Sequence, residues 1–484
     1  MGSSSSPRRG LWLVLIVGLG LLGVLLIGFS IVASPTVRPT PTPTATPRPP
    51  TPTPTLTPSP TPTPAWPVTA GCGSGVPADV CGRLREAVEQ DSEHFAWVDD
   101  PAVADVQVGT DSLPNSRPFA TWVYALVAPF FTVEDDVSSA DLKTTWGGEP
   151  AGPFVEHPLL VSADTQDAVP LGAAAGDVRI VEASELLTQA VALDGWAIVP
   201  FHALEPRWKV MHVDGVSPLD RGLDLEAYPL ATTVALGAQS RSDALSMLPA
   251  SFTNRDPEEM SVVMMTGVTA LTRNTALTME HRGVTYPAQD IRGWMTEPDI
   301  THTSNEVSFA ADCPPPTGQS TMVFCSAPKY FELLEDVDID VLELTGNHLL
   351  DWGVSAMENS LSMYEAHDLP TFGGGWTLDQ AQAPLTVTHG VHTFGFVGCN
   401  PVGPPYVWAT AERPGAAPCD YDLLTSLIHD MRARGIIPIV TFQYLEVDQY
   451  APTASQQADF RAMAEAGAAI VSGSQAHWPQ GFDF

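Results

Sequence analysis

The chain has 484 residues, 46 prolines, six cysteines, only 16% charged residues and a formal charge of −34. That length has room for two or three domains. With 22 basic against 56 acidic side chains there is no basic face for phosphate, which excludes nucleic acid as a partner and disfavours tight docking on anionic lipid.

Arg8 and Arg9 lie in residues 1–10 and precede residues 11–33, an apolar run without a charge. A signal-peptide core is shorter, roughly 7–15 residues, whereas about 20 apolar residues cross a bilayer as a helix. The run predicts a signal anchor, with a short cytoplasmic tail and the rest of the chain outside. The alternative is a cleaved signal, for which Val32-Ala33-Ser34 would be the site. Residues 34–67 are almost entirely Pro and Thr, too poor in apolar groups to fold and biased to an extended polyproline rod. At about 3.1 Å per residue this stalk would hold the next domain on the order of 100 Å from the membrane. Its threonines are candidate sugar acceptors.

Residues 68–255 read as mixed α/β. A β-rich run at 120–131 and a helical one at 183–193 are examples. Residues 138–148 have a serine N-cap, an apolar helix face and a glycine stop, and 195–201 read as a strand. These two segments resemble elements of extracytoplasmic solute-binding proteins of the phosphate type. The resemblance implies a ligand-binding α/β domain without assigning its ligand residues; an α/β spacer is the other reading. Residues 256–484 alternate more regularly. Strands are predicted at 261–266, 338–344, 391–398, 436–443 and 468–471, and helices at 290–296, 329–334, 354–367 and 455–466. Alternation of this kind predicts a layered α/β domain.

The six cysteines form three local couples, Cys72 and Cys81, Cys313 and Cys325, Cys399 and Cys419. An even count in an exported chain points to disulfides, with nearest-neighbour pairing the simplest of the 15 possible connectivities.

The strand-like 338–344 leads into Gly346-Asn347-His348, followed by Asp351 and Gly353. A second motif, Gly473-Ser474-Gln475-Ala476-His477, follows the apolar run 468–471. With the opening 264–273, the segment 299–306 and Phe372-Gly373-Gly374-Gly375, these pieces resemble in order and spacing the CapA family of capsule and poly-γ-glutamate biosynthesis proteins, built on a metallophosphatase-like fold. The resemblance covers nearly all of 256–484. It implies a pocket at Asn347 and His348 and, in the family, a metal site. This chain departs from that pattern. Val268 stands for the family's first aspartate, and Ser304 stands where the family has asparagine, with Asn305 one place on. Phe442-Gln443-Tyr444 replaces a His-Trp-Gly strand end, and Ser474 replaces the first closing histidine. Valine supplies no ligand to a metal pair, which needs several carboxylate and imidazole donors.

Three readings of the site follow. A two-metal hydrolase has too few ligands left. One weakly held divalent cation, Mn or Mg, would use Glu306, Asn347 and His477. A metal-free polar pocket would use His348 as general acid or base, with Asp351 fixing its tautomer and His477 beside it. In that pocket Gln443, Ser474 and Gln475 would be hydrogen-bond donors to substrate. The loop between Cys399 and Cys419 would form a stiff lid if bridged, with Tyr406 and Trp408 on its rim for a sugar or peptide polymer. His348 and His477 as satisfied structural histidines is the plain alternative.

The fold expected is therefore α/β throughout. A single N-terminal transmembrane helix and a Pro/Thr-rich stalk precede a solute-binding-like α/β domain (68–255) and a layered metallophosphatase-like domain (256–484). The family pattern continues with further strands beyond Phe484, so a truncated chain or a shortened sheet is expected. The function implied is synthesis, export or anchoring of an extracellular anionic polymer such as poly-γ-glutamate or capsule. A noncatalytic extracellular binder or sensor of a small ligand is the alternative.

Overall fold

The computed structural model describes residues 66–484 apart from 177 and 318–321. The expected cytoplasmic tail, membrane anchor and all but the last two residues of the stalk lie outside the described residues. Among those described, no helix is long and apolar enough to cross a membrane.

The strands between Val68 and Thr253 make a ten-stranded sheet and one short two-stranded pair. At the centre of the large sheet runs Arg117–Pro129, which pairs antiparallel with Ala231–Ala238, Trp196–Pro200 and Trp208–Val210, the last two on opposite sides of it at Val127. Its inner stretch is buried on both faces, as its continuous apolar run requires. The predicted helix at 138–148 is Ser139–Trp146, capped by Ser138 Oγ accepting from the Asp141 N–H. Asp141 in its first turn complements the helix dipole.

From Val263 onward the strands form two four-stranded sheets and one short pair. The first sheet is parallel throughout, in the order Val263–Thr269, Ile300–Asn305, Val341–Glu343, Thr371–Phe372. In the second, Leu385–His389 is antiparallel to His392–Cys399, which runs parallel to Ile437–Gln443 and through it to Ile470–Ser474. Ile300, Val341, Phe372, Phe394, Phe396 and Ile439 pack together between the sheets. On its other face the first sheet is covered by the helices Arg273–Arg282 and Val354–Ala366, through Met279, Met357, Leu361 and Tyr364. The second is covered by Tyr421–Ala433 and Ala454–Glu465, through Leu424, Ile428, Met431 and Met463. The result is a helix–sheet–sheet–helix sandwich.

Strand alternation decides what each side chain meets. Val341 and Glu343 face the opposite sheet while Leu342 and Leu344 face the helices. The inter-sheet layer is apolar at one end and turns polar along the strands. His302 and Glu343, only 1% and 2% exposed as side chains, meet at 3.1 Å (Nε2 to Oε2), and the Thr345 hydroxyl donates to the same carboxylate. Beyond this buried pair the layer opens at the carboxyl ends of the parallel strands, the usual place for a site in α/β sheets.

Three disulfides close Cys72 to Cys81, Cys313 to Cys325 and Cys399 to Cys419. Nearest-neighbour pairing is thus the connectivity adopted. The helix Tyr421–Ala433 and the strand Leu385–His389 were not among the predicted elements. The hairpin strand is short and half exposed, so its apolar signal is weak.

Candidate functional site

Three strand ends build the site. Glu306 directly follows Ile300–Asn305. Asn347 and His348 lie in the turn after Val341–Glu343, where His348 bridges in parallel to Val307. Gln443 ends Ile437–Gln443 and lies beside Ser474 in the neighbouring strand. Gly346 lets the two turns touch, because a Cβ there would lie 2.3 Å from Glu306 Cα. Only glycine tolerates so close a backbone approach.

Gln443 is the hub. Its Nε2 donates to Glu306 Oε2 at 3.2 Å and to Asn347 Oδ1 at 3.0 Å, while its Oε1 accepts from Ser474 Oγ at 3.0 Å. The partners set the orientation of the amide: a carboxylate and an amide oxygen accept, and a hydroxyl donates. Gln443 therefore uses both its N–H donors inside the protein rather than on a substrate, which corrects its expected role. A second correction concerns the strand end. Phe442 is fully buried on the helix side, stacked 5.0 Å from Phe460, and only Gln443 faces the site. Adjacent residues of a strand point to opposite faces, so the position that matters in the departure from His-Trp-Gly is Gln443. For the same reason Asn305 points to the helix side, donating to Tyr364 Oη at 2.8 Å.

His348 and Asp351 form the second part. His348 Nδ1 lies 2.7 Å from Asp351 Oδ2, which also accepts the Phe324 N–H at 3.1 Å. The Phe324 ring packs against the imidazole at 4.4 Å between centroids. Asp351 thereby holds the proton on Nδ1 and leaves Nε2 without a hydrogen-bond partner among the described residues. Burial pushes the His348 pKa down, but the Asp351 hydrogen bond and the charges of Asp351, Glu306 and Glu446 outweigh it and raise it. Burial raises the Glu306 carboxyl, against the lowering effects of His348, Gln443 and His477. The imidazolium and the protonated acid are thus both favoured relative to the free side chains.

The remaining expected residues are spread around this centre. His477 is exposed, at φ +59°, and pairs with Glu446 Oε1 at 3.2 Å. Gln475 is half-buried at φ +78° in the same turn. Tyr406 is exposed, with its hydroxyl 3.5 Å from Asp351 Oδ1. Burial first, and then Asp351, raises its pKa. Trp408 is not on a rim: its Nε1 donates to the Asn400 carbonyl at 3.0 Å and its ring packs against the core. Phe324 and Glu446 went unmarked in the sequence because neither belongs to a motif, and only the chain's path brings them to His348.

The donor set does not fit a metal pair. Val268 adds no ligand, His477 turns to Glu446, and an amide N–H₂ group, itself a donor, points at the two oxygens a cation would need. Among the described residues no group of three His, Cys, Asp or Glu side chains is arranged to hold a metal ion. What remains is a polar cluster at the strand ends, with an oriented imidazole and a buried carboxyl.

Residues 262–484 match the family model described as bacterial capsule synthesis protein PGA_cap. The chain is 27% identical over 148 residues to the PGA biosynthesis protein CapA of Bacillus subtilis (strain 168), covering 30% of this chain and 39% of that protein. It is 27% identical over 157 residues to the capsule biosynthesis protein CapA of Bacillus anthracis, covering 31% and 38%. The matched segment thus spans about two fifths of the length of these curated relatives. Among solved structures, an ABC-type phosphate transport receptor from Vibrio cholerae aligns with 37% of this chain and 90% of its own, at 12% identity and a TM-score of 0.30. Residues 262–484, a little under half of the chain, are thus similar to the CapA family of capsule and poly-γ-glutamate synthesis proteins.

Proposed function

We propose that this protein is a membrane-anchored envelope component that acts in the synthesis, export or anchoring of an extracellular anionic polymer, and that its C-terminal pocket handles the polymer without a metal pair. One observation carries the second half of this reading: the Gln443 carboxamide, hydrogen-bonded to both Glu306 and Asn347, stands between the oxygens a cation would bridge. A neutral amide there organises the pocket, while His348 provides a positive group oriented for a carboxylate or for proton transfer. Such a cation offsets part of the repulsion between an acidic polymer and a chain of charge −34. The apolar run at 11–33 supports the anchor, and the Pro/Thr stretch supports a stalk.

Purified full-length chain, assayed with phosphodiester and γ-glutamyl substrates with and without Mn²⁺ and analysed for bound metal, tests the reading. Polymer binding or turnover that is independent of Mn²⁺ and lost in His348→Ala is expected. Metal-dependent phosphodiester hydrolysis with stoichiometric bound metal would overturn the metal-free pocket. Polymer binding without turnover would make the protein a noncatalytic binder. Release of the full-length chain from membranes by alkaline carbonate would refute the anchor.

A further inference from the structure

The N-terminal half holds a cavity of about 420 Å³ that the CapA resemblance does not touch. It lies beside the central strand Arg117–Pro129, whose Trp122 and Tyr124 project into it from one face. Tyr124 is 1% exposed, yet its hydroxyl has no hydrogen-bond partner among the described residues. A buried phenol usually finds one. Here it faces the lining instead, where Asp79 and Asp164 add to burial in holding its pKa up.

The charges of the lining are unequal. Asp79 Oδ2 pairs with His202 Nε2 at 3.2 Å, and Glu205 Oε2 with Arg207 Nη2 at 2.6 Å. Asp164 also lines the cavity, and among the described residues its carboxylate carries no ion pair or hydrogen bond. An anion entering here would meet three carboxylates, with the only arginine already engaged. A cation would meet one unneutralised carboxylate, an unpartnered hydroxyl and an indole wall, the combination that suits an ammonium group on a carbon body.

We propose that this cavity is a binding site for a small organic cation, a primary amine whose ammonium group is held by Asp164 and the Tyr124 hydroxyl while its apolar part lies against Trp122. The site is separate from the His348 pocket and does not depend on the function assigned to that pocket.

Isothermal titration of the full-length chain with 1,4-diaminobutane and with ethanolamine, against inorganic phosphate and acetate, tests the proposal. The amines are expected to bind, more weakly as salt is raised, and the anions not to bind. Asp164→Asn, on the exposed surface of a short helix, and Tyr124→Phe should each weaken amine binding by about tenfold or more, while His348→Ala leaves it unchanged. Thermal melting verifies that both cavity variants are folded. The proposal falls if neither amine binds at about 10 mM, if folded Asp164→Asn binds amines like the parent, or if phosphate binds in preference.

Discussion

At the His348 ring, burial opposes the imidazolium, and the carboxylates of Asp351, Glu306 and Glu446 favour it more strongly. A histidine whose folded pKa lies above its unfolded value stabilises the fold below the unfolded pKa, and that contribution disappears as pH rises through the folded one. The chain should therefore lose stability as pH rises from about 6.5, and His348→Gln should flatten that part of the profile. Denaturant midpoints measured from about pH 6 to 9 check this. Polymer binding should weaken over the same window if the imidazolium is what the polymer meets. Gly346 is the second decisive residue. Gly346→Ala places a methyl 2.3 Å from the Glu306 backbone, and overpacking of this kind costs about 1–3 kcal/mol, visible as a lowered urea midpoint. Gln443→Ala removes the shared donor of Glu306 and Asn347, with an expected loss of about 1–3 kcal/mol. The motif Gly346-Asn347-His348 was legible from types and spacing alone. The hub role of Gln443 was not, because it arises from the meeting of two separate sheets.

Among the elements, the loop between Cys399 and Cys419 shows how a local covalent bond fixes a site wall. The disulfide joins the end of His392–Cys399 to the residue before the Asp420 N-cap of the helix Tyr421–Ala433. Asn400 holds the loop from inside, donating to the Thr345 carbonyl at 2.9 Å and accepting from the Gly403 N–H at 2.7 Å. Closing a loop of this length contributes about 3 kcal/mol by the chain-entropy relation. Replacing Cys399 and Cys419 together with Ala should cost about that amount in denaturant unfolding. Hydrogen exchange should rise around Tyr406 before the sheets open. Of the sandwich, the helices Val354–Ala366 and Ala454–Glu465 and the longer apolar strands were readable from caps and runs, whereas the helices Arg273–Arg282 and Tyr421–Ala433 and the strand Ile300–Asn305 were not. Short pairings such as Thr371–Phe372 were not, since two residues carry no period.

For the molecule as a whole, one contact between the N-terminal part and the sandwich is made at Asp299, another where Phe130 meets Phe482 and Phe484. The Asp299 carboxylate accepts from Arg221 Nη1 at 2.5 Å and from the Val262 N–H at 2.7 Å, and lies 3.3 Å from His389 Nε2. Burial alone raises the Asp299 pKa, but the Arg221 and Val262 bonds and the nearby charges bring it below the ordinary value. A depressed carboxyl stabilises above its unfolded pKa of about 3.9, and the contribution is lost as pH falls through the folded value. Asp299→Asn should lower the melting midpoint at neutral pH and flatten the loss of stability below about pH 4, measured by calorimetry.

Several features were legible in the sequence alone: the Ser138 helix cap, the strands with long apolar runs, the CapA-like pieces around Gly346-Asn347-His348, and nearest-neighbour pairing as the simplest way to join the six cysteines. These depend on composition, on period and on neighbours close along the chain. Other features were decided by tertiary structure: that Gln443 rather than Phe442 faces the site, that Trp408 packs inward, that Glu446 and Phe324 adjoin the histidines, and that Tyr124 is left unpartnered beside Asp164. Each depends on which strand lies opposite which, and no residue records its distant partner in its own local pattern.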